Sequence, residues 1–217
     1  MKIKHIIFDL DGTLIDSSSS ILESFSRVFK ANSIVPSKPL NSSIIGPPLI
    51  EVLELLSEIT DKEKLNFLAE EFKSDYDNIG YKGSKVFPGI NEMLLVLKQH
   101  KFKIYIATNK RILPTKKIIN HCNWNNIFKG IYSLDSFSPS LTSKIDVLRN
   151  IIELTDAHLD EVLYVGDIEG DRVAAIANNI SFLMAEWGYG KKNQLEIIDK
   201  DAIPSPIDLI NILSLHQ

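Results

Sequence analysis

Short apolar runs punctuate the chain, and three of them stop abruptly at polar, potentially reactive residues. Residues 3–8 run into Asp9, residues 102–107 into Thr108, and residues 162–165 into Gly166-Asp167. Each run is rich in β-branched and aromatic residues and too short for a helix, so it predicts a strand buried on both faces. Residues 130–134 and 180–185 carry weaker versions of the same signal. Between the runs, apolar positions fall three and four apart: Ile90, Met93, Leu94 and Leu97, then Ile145, Leu148, Ile151 and Ile152. That spacing gathers them on one helix face. Pro114 suits the first turn of a further helix running towards Cys122. Strand and helix alternate, the pattern of an α/β, doubly wound parallel sheet covered on both faces. Such sheets bind ligands beyond the carboxyl ends of their strands, where Asp9, Thr108 and Asp167 are all expected.

Residues 17–85 break the alternation and read as helical throughout. Ser20 and Glu23 form a capping-box pair ahead of a stripe of Ile21, Phe25, Val28 and Phe29. Leu49, Leu53 and Leu56, then Leu65, Leu68, Phe72 and Tyr76, keep the helical spacing, with Asp61 as the N-cap between them. The proline-bearing segment 34–39 and Gly46-Pro47-Pro48 cannot lie inside a helix and read as turns. The expected organisation is therefore a core of residues 1–16 and 86–217, interrupted by a helical insertion of residues 17–85. Hung beyond the end of the first strand, such an insertion could act as a lid.

Composition narrows the functional classes. The 217 residues are 44% hydrophobic and 24% charged, which excludes a disordered or fibrous chain. A net charge of −4 gives no broad basic surface, so nucleic acid is not an expected partner and an anionic ligand must be met by a metal or a few placed cations. The single cysteine, Cys122, can form neither an intrachain disulfide nor a thiolate metal site. No window approaches the ~20 apolar residues of a membrane span, and the amino-terminal stretch lacks a small-residue cleavage site. The expectation is a cytoplasmic protein, monomer or homodimer, with no membrane partner.

The strand ends carry the chemistry. In Asp9-Leu10-Asp11-Gly12-Thr13 two carboxylates two residues apart leave a buried strand, and Gly12 permits a sharp turn. Paired carboxylates in one cavity repel each other and call for a shared proton or a hard divalent ion, most simply Mg²⁺. An ordinary strand-end turn would use the same residue types. Asp167 and Asp171 form a second acidic pair whose spacing of four suits one side of a helical first turn, either as metal ligands or as helix caps. Thr108 and Asn109 end the middle strand, where a hydroxyl and a backbone amide could hold a phosphoryl oxygen. Trp124 and Trp187 suit packing, while Trp187-Gly188-Tyr189-Gly190 suits a loop near the strand ends.

Residues 6–17, Ile-Ile-Phe-Asp-Leu-Asp-Gly-Thr-Leu-Ile-Asp-Ser, resemble the first motif of the haloacid dehalogenase-like hydrolases. Thr108 matches that family's second motif, Lys144 its third, and Gly166-Asp167-Ile168-Glu169-Gly170-Asp171 its fourth, in order across nearly the whole chain. The third motif departs from the usual Lys-Pro, since Ile145 follows Lys144, and Lys110 is the other candidate cation. Thr108-Asn109-Lys110 and Ile45-Gly46-Pro47-Pro48-Leu49 most resemble the phosphoglycolate phosphatase branch. The resemblance implies a Rossmann-like core with a helical cap and a Mg²⁺-dependent phosphatase acting on a small phosphorylated metabolite. It implies Asp9 as nucleophile and Asp11 as general acid and base. Mg²⁺ would be held by Asp9, the Asp11 backbone carbonyl and Asp167, and the phosphate by Thr108, Asn109 and Lys144. Asp171, Gly12 and Thr13 would support them. Asp11 favours phosphate chemistry over carbon–halogen cleavage, which needs no acid for the leaving group. A sugar phosphomutase and a non-catalytic binding protein of the same fold are the alternatives. A phospho-accepting signalling receiver fits less well, because the chain is long for one.

Overall fold

The computed structural model describes residues 3–41, 44–45, 48–190 and 201–215. Two compact units divide the chain, one of Met1–Asp16 with Val86–Gln217 and one of Ser17–Lys85.

The first unit is built on a six-stranded sheet: β1 (His5–Phe8), β4 (Lys103–Thr108), β5 (Gly130–Ser133), β6 (Val162–Gly166), β7 (Ser181–Ala185) and β8 (Ala202–Ile203). The short strands β2 (Ile15–Asp16) and β3 (Lys85–Val86) form a separate pair. The strand order is β5-β4-β1-β6-β7-β8, and every neighbouring pair is parallel. Alternation along the strands sends Ile7, Tyr105, Ala107 and Tyr164 to one face, where they pack on Val147, Leu148 and Ile151 of α6 (Lys144–Thr155) and Ala174 and Ala175 of α7 (Glu169–Ala177). Their neighbours Ile6, Phe8, Ile104, Ile106, Leu163 and Val165 are buried as well. On that side α4 (Ile90–Gln99) packs against β4 and against α8 (Pro206–Ile212). Burial on both faces explains why these strands read as unbroken apolar runs.

The second unit holds α1 (Ser18–Ala31), α2 (Leu49–Ser57) and α3 (Lys62–Asn78) around Phe25, Val28, Phe29, Val52, Leu53, Leu56, Leu65, Leu68 and Ala69. Asp61 caps α3 as expected, its carboxylate accepting the Lys64 amide at 2.8 Å. The capping box at Ser20 does not form. Helix α1 starts earlier, after Ser17, and Ser20 lies buried inside it with its hydroxyl donating to the Ser17 carbonyl at 2.8 Å. Serine can satisfy its hydroxyl on the preceding turn, so its presence does not by itself mark a helix start. Of the turn at 46–48, Pro48 is the residue before α2, and Gly46 and Pro47 lie outside the described residues. Strand β8 and helix α8 were not expected from the sequence, because two strand residues between Asp201 and Pro204 are too few to show a period. No helix among the described residues is long and apolar enough to cross a membrane.

Candidate active site

Register brings the reactive residues to one sheet edge. Phe8 is level with Ile106 of β4 and Val165 of β6, and the Asp9 amide donates to the Val165 carbonyl at 2.9 Å. β4 ends at Thr108 and β6 at Gly166, so Asp9, Thr108 and Asp167 leave the sheet together. The strand order reverses at β1, with β4 and β5 to one side and β6 to β8 on the other. That reversal opens a crevice at the carboxyl ends, the place where open α/β sheets hold ligands.

Asp9, Asp167 and Asp171 are buried there, each offering a carboxylate oxygen within 4.8 Å of the other two. Lys144 opens α6 and enters this cluster, with Nζ 2.8 Å from Asp9 Oδ1 and 2.8 Å from Asp171 Oδ1. A lysine at a helix start faces the unfavourable end of the dipole, and two carboxylates outweigh that penalty here. Burial alone would lower the Lys144 ammonium, yet Asp9 and Asp171 hold it above the ordinary lysine value. Burial pushes the Asp9 carboxyl up to about 8; Lys144 opposes this, while the like charges of Asp171 and Asp167 add to it. Asp167 is pushed up to about 6 by burial, against the Tyr189 amide and the Thr13 hydroxyl that stabilise its ionised form.

The two acidic pairs are arranged differently from the sequence expectation. Asp167 lies ahead of α7 rather than in its first turn, and Ile168 is the N-cap. Asp171, at the third helical position, turns back so that its Oδ2 accepts the amides of Asp167 at 3.1 Å and Ile168 at 3.2 Å. Its Oδ1 accepts the Tyr164 hydroxyl and the Lys144 ammonium, each at 2.8 Å. Asp171 therefore caps the helix and belongs to the cluster at once. Asp11 does not join the other three carboxylates: its carboxylate pairs with Lys110 Nζ at 3.2 Å and is partly exposed. Among the described residues the clustered carboxylates are thus those of Asp9, Asp167 and Asp171. The turn that follows Asp11 runs through Gly12, at φ +88°, where a Cβ would overlap the Asp167 carboxylate.

Thr108 is buried and its Oγ1 accepts the Lys110 amide at 3.1 Å, whereas Asn109 is exposed. Thr13 is buried, its hydroxyl donating to Asp167 Oδ1 at 3.1 Å. The loop after β7 closes the site from the other side. Tyr189 donates its amide to Asp167 Oδ2 at 2.7 Å and its hydroxyl to Asp16 Oδ1 at 2.9 Å. Trp187, expected to pack and to open a loop near the strand ends, donates its indole N–H to the Thr13 carbonyl at 2.8 Å. Trp124 does pack, fully buried with its indole donating to Asn91 Oδ1 at 2.9 Å. Tyr164 was not singled out from the sequence, since an aromatic residue inside an apolar strand carries no outward sign of a polar duty.

Three buried carboxylates against one buried ammonium leave excess negative charge where water is scarce. Burial is the main cause of the raised Asp9 and Asp167 carboxyls, and the neighbouring acids add to it. Oxygen donors alone, without sulfur or imidazole, suit a hard divalent cation.

The sequence profile of the haloacid dehalogenase-like hydrolases matches residues 6–185. The tyrosine-protein kinase PtkA of Mycobacterium tuberculosis is 31% identical over 200 residues, covering 90% of this chain; the chain spans only 65% of that relative's length. The phosphoglycolate phosphatase of Aquifex aeolicus is 30% identical over 212 residues, covering 97% of each chain. Among solved structures, a haloacid dehalogenase-like hydrolase from Streptococcus pneumoniae superposes with a TM-score of 0.82 at 27% identity, covering 98% of this chain and 99% of its own.

Proposed function

Because the chain belongs to the haloacid dehalogenase-like hydrolase family, we propose that it hydrolyses a small phosphomonoester through a phospho-aspartate on Asp9, in the manner of a phosphoglycolate phosphatase. The observation that carries this reading is the shared position of Asp9, Lys144 and Asp167 at one sheet edge, with Asp11 two residues beyond the nucleophile. Asp9 attacks phosphorus, and the bond to the leaving oxygen breaks with its electron pair remaining on that oxygen. Asp11, in its acid form, gives the leaving oxygen a proton. It then takes one from the water that attacks the phospho-aspartate, which releases inorganic phosphate and restores the Asp9 carboxylate and the acid form of Asp11.

Lys144 and the Thr108 hydroxyl bind the phosphoryl oxygens, and the amide following Thr108 adds a donor from Asn109. Asp9, the Asp11 backbone carbonyl and Asp167 would hold Mg²⁺, with Thr13 and Tyr189 fixing the Asp167 carboxylate. When bound, the ion supplies the positive charge that lets an anionic carboxylate approach an anionic phosphate. Residues 17–85 serve as the cap and residues 1–16 with 86–217 as the catalytic core of a cytoplasmic enzyme. The test is phosphate release from a panel of phosphorylated metabolites with Mg²⁺ present. Turnover of at least one member that chelation stops is expected; a panel left untouched would defeat the reading. A second reading, transfer from a nucleoside triphosphate to a tyrosine hydroxyl, is favoured by the 31% identity to a tyrosine-protein kinase. Label moving from ATP to a tyrosine peptide rather than into free phosphate would select it.

A further inference from the structure

We propose that Tyr164 is a positioning residue for the reaction: its phenol locks Asp171 so that Lys144 stays in place once Asp9 has been consumed by bonding to phosphorus. The inference rests on the phosphatase reading and assigns a duty to a strand residue outside the motifs that carry it.

The geometry is unusually complete around Asp171. A carboxylate has about four lone-pair positions, and here all are taken by donors of the same chain. Oδ1 receives Tyr164 and Lys144, and Oδ2 receives the amides of Asp167 and Ile168. Gly166 leaves room for this arrangement, since a Cβ there would lie within 2.5 Å of the Asp171 side chain. Asp171 is thus an anchor whose lone pairs are all engaged within the chain, one of them by the Lys144 ammonium. Tyr164 itself is fully buried in β6, its ring against Phe182 with centroids 6.0 Å apart. Its hydroxyl sits among the acids, and burial together with Asp171 and Asp9 raises it well above the ordinary phenol value, so it remains a donor.

The consequence appears during turnover. Lys144 bridges Asp9 and Asp171 at 2.8 Å each. When Asp9 becomes an acyl phosphate it loses its charge, and Asp171 becomes the carboxylate that holds Lys144 at the phosphoryl oxygens. A carboxylate pinned by two amides and a phenol keeps that lysine aimed; without the phenol, Oδ1 is held by the lysine alone.

Tyr164→Phe removes one oxygen and keeps the ring. With p-nitrophenyl phosphate and Mg²⁺, kcat is expected to fall about tenfold with KM within about twofold of the parent chain. Affinity for orthovanadate, read by calorimetric titration, should fall by a similar factor. A Lys144→Ala chain should bind orthovanadate equally well with or without Tyr164→Phe, because a hydroxyl acting through the lysine has nothing left to position. Unchanged kcat and vanadate affinity, losses that add in the double variant, or a Tyr164→Phe chain that does not fold would each overturn the proposal. Parent protein that turns over no phosphate ester would instead defeat the phosphatase reading, which separates the two failures.

Discussion

Asp9 and Asp11 stand two residues apart and meet different partners: Asp9 is buried against Lys144, and Asp11 is half-open beside Lys110. Different surroundings suit different tasks, a buried nucleophile held against a lysine and a partly exposed acid that must exchange protons. Asp9→Asn is expected to reduce phosphate release to the uncatalysed background while the circular-dichroism spectrum stays native. Asp11→Asn is expected to lower kcat by about 10²–10⁴-fold, the range of a lost general acid. Steady-state assays check both. Cys122 offers a control away from the site. Burial pushes its thiol up to about 11, so iodoacetamide should label the native protein slowly at pH 8 and the urea-unfolded chain quickly. Because this acid is weaker in the folded state than its ordinary value of 9.0, its contribution to stability is whole below pH 9 and is lost as pH rises towards 11. Asp9, Asp167 and Thr108 were legible in the sequence because each ends an apolar run. Tyr164 and the Tyr189 amide were not, since a buried phenol looks like packing and a backbone donor has no sequence signature.

At the scale of elements, apolar period decides what can be read. β1, β4 and β6 are covered on both faces and announce themselves as unbroken runs, and α4 and α6 show their stripes. β8 carries two residues and no period, and the start of α1 was misplaced because Ser20 satisfies its hydroxyl on Ser17 inside the helix. Lys144 illustrates the limit in another way: its departure from the expected Lys-Pro left Lys110 as a rival, and the structure pairs Lys144 with Asp9 and Asp171 and Lys110 with Asp11. Within Ser17–Lys85, Leu53 is fully buried in the cluster between α1, α2 and α3. Leu53→Ala should destabilise that unit by about 2–5 kcal/mol, the usual range for a leucine cavity, as measured by urea unfolding. In the same unit Arg27 grips Asp75 with two bonds of 2.8 Å and holds its carboxyl below the ordinary value. That contribution is present above the ordinary carboxylate range and fades as pH falls through the lowered value.

For the whole molecule, two compact units imply that melting need not be a single event. The acidic cluster lies wholly in the unit of Met1–Asp16 with Val86–Gln217. Mg²⁺ at one hundred times its dissociation constant should therefore stabilise that unit by about 2.7 kcal/mol. Scanning calorimetry should show its transition moving up while that of Ser17–Lys85 stays in place, with the shift abolished in Asp167→Asn. Equal movement of both transitions would contradict independent units. The strand order carries a last consequence, for biosynthesis. β1 is translated first, yet its two neighbours arrive only with residues 103–108 and 162–166. Until the ribosome has delivered both, this apolar strand has both edges open to other chains, so a stalled or truncated nascent polypeptide would need a chaperone more than the finished protein does.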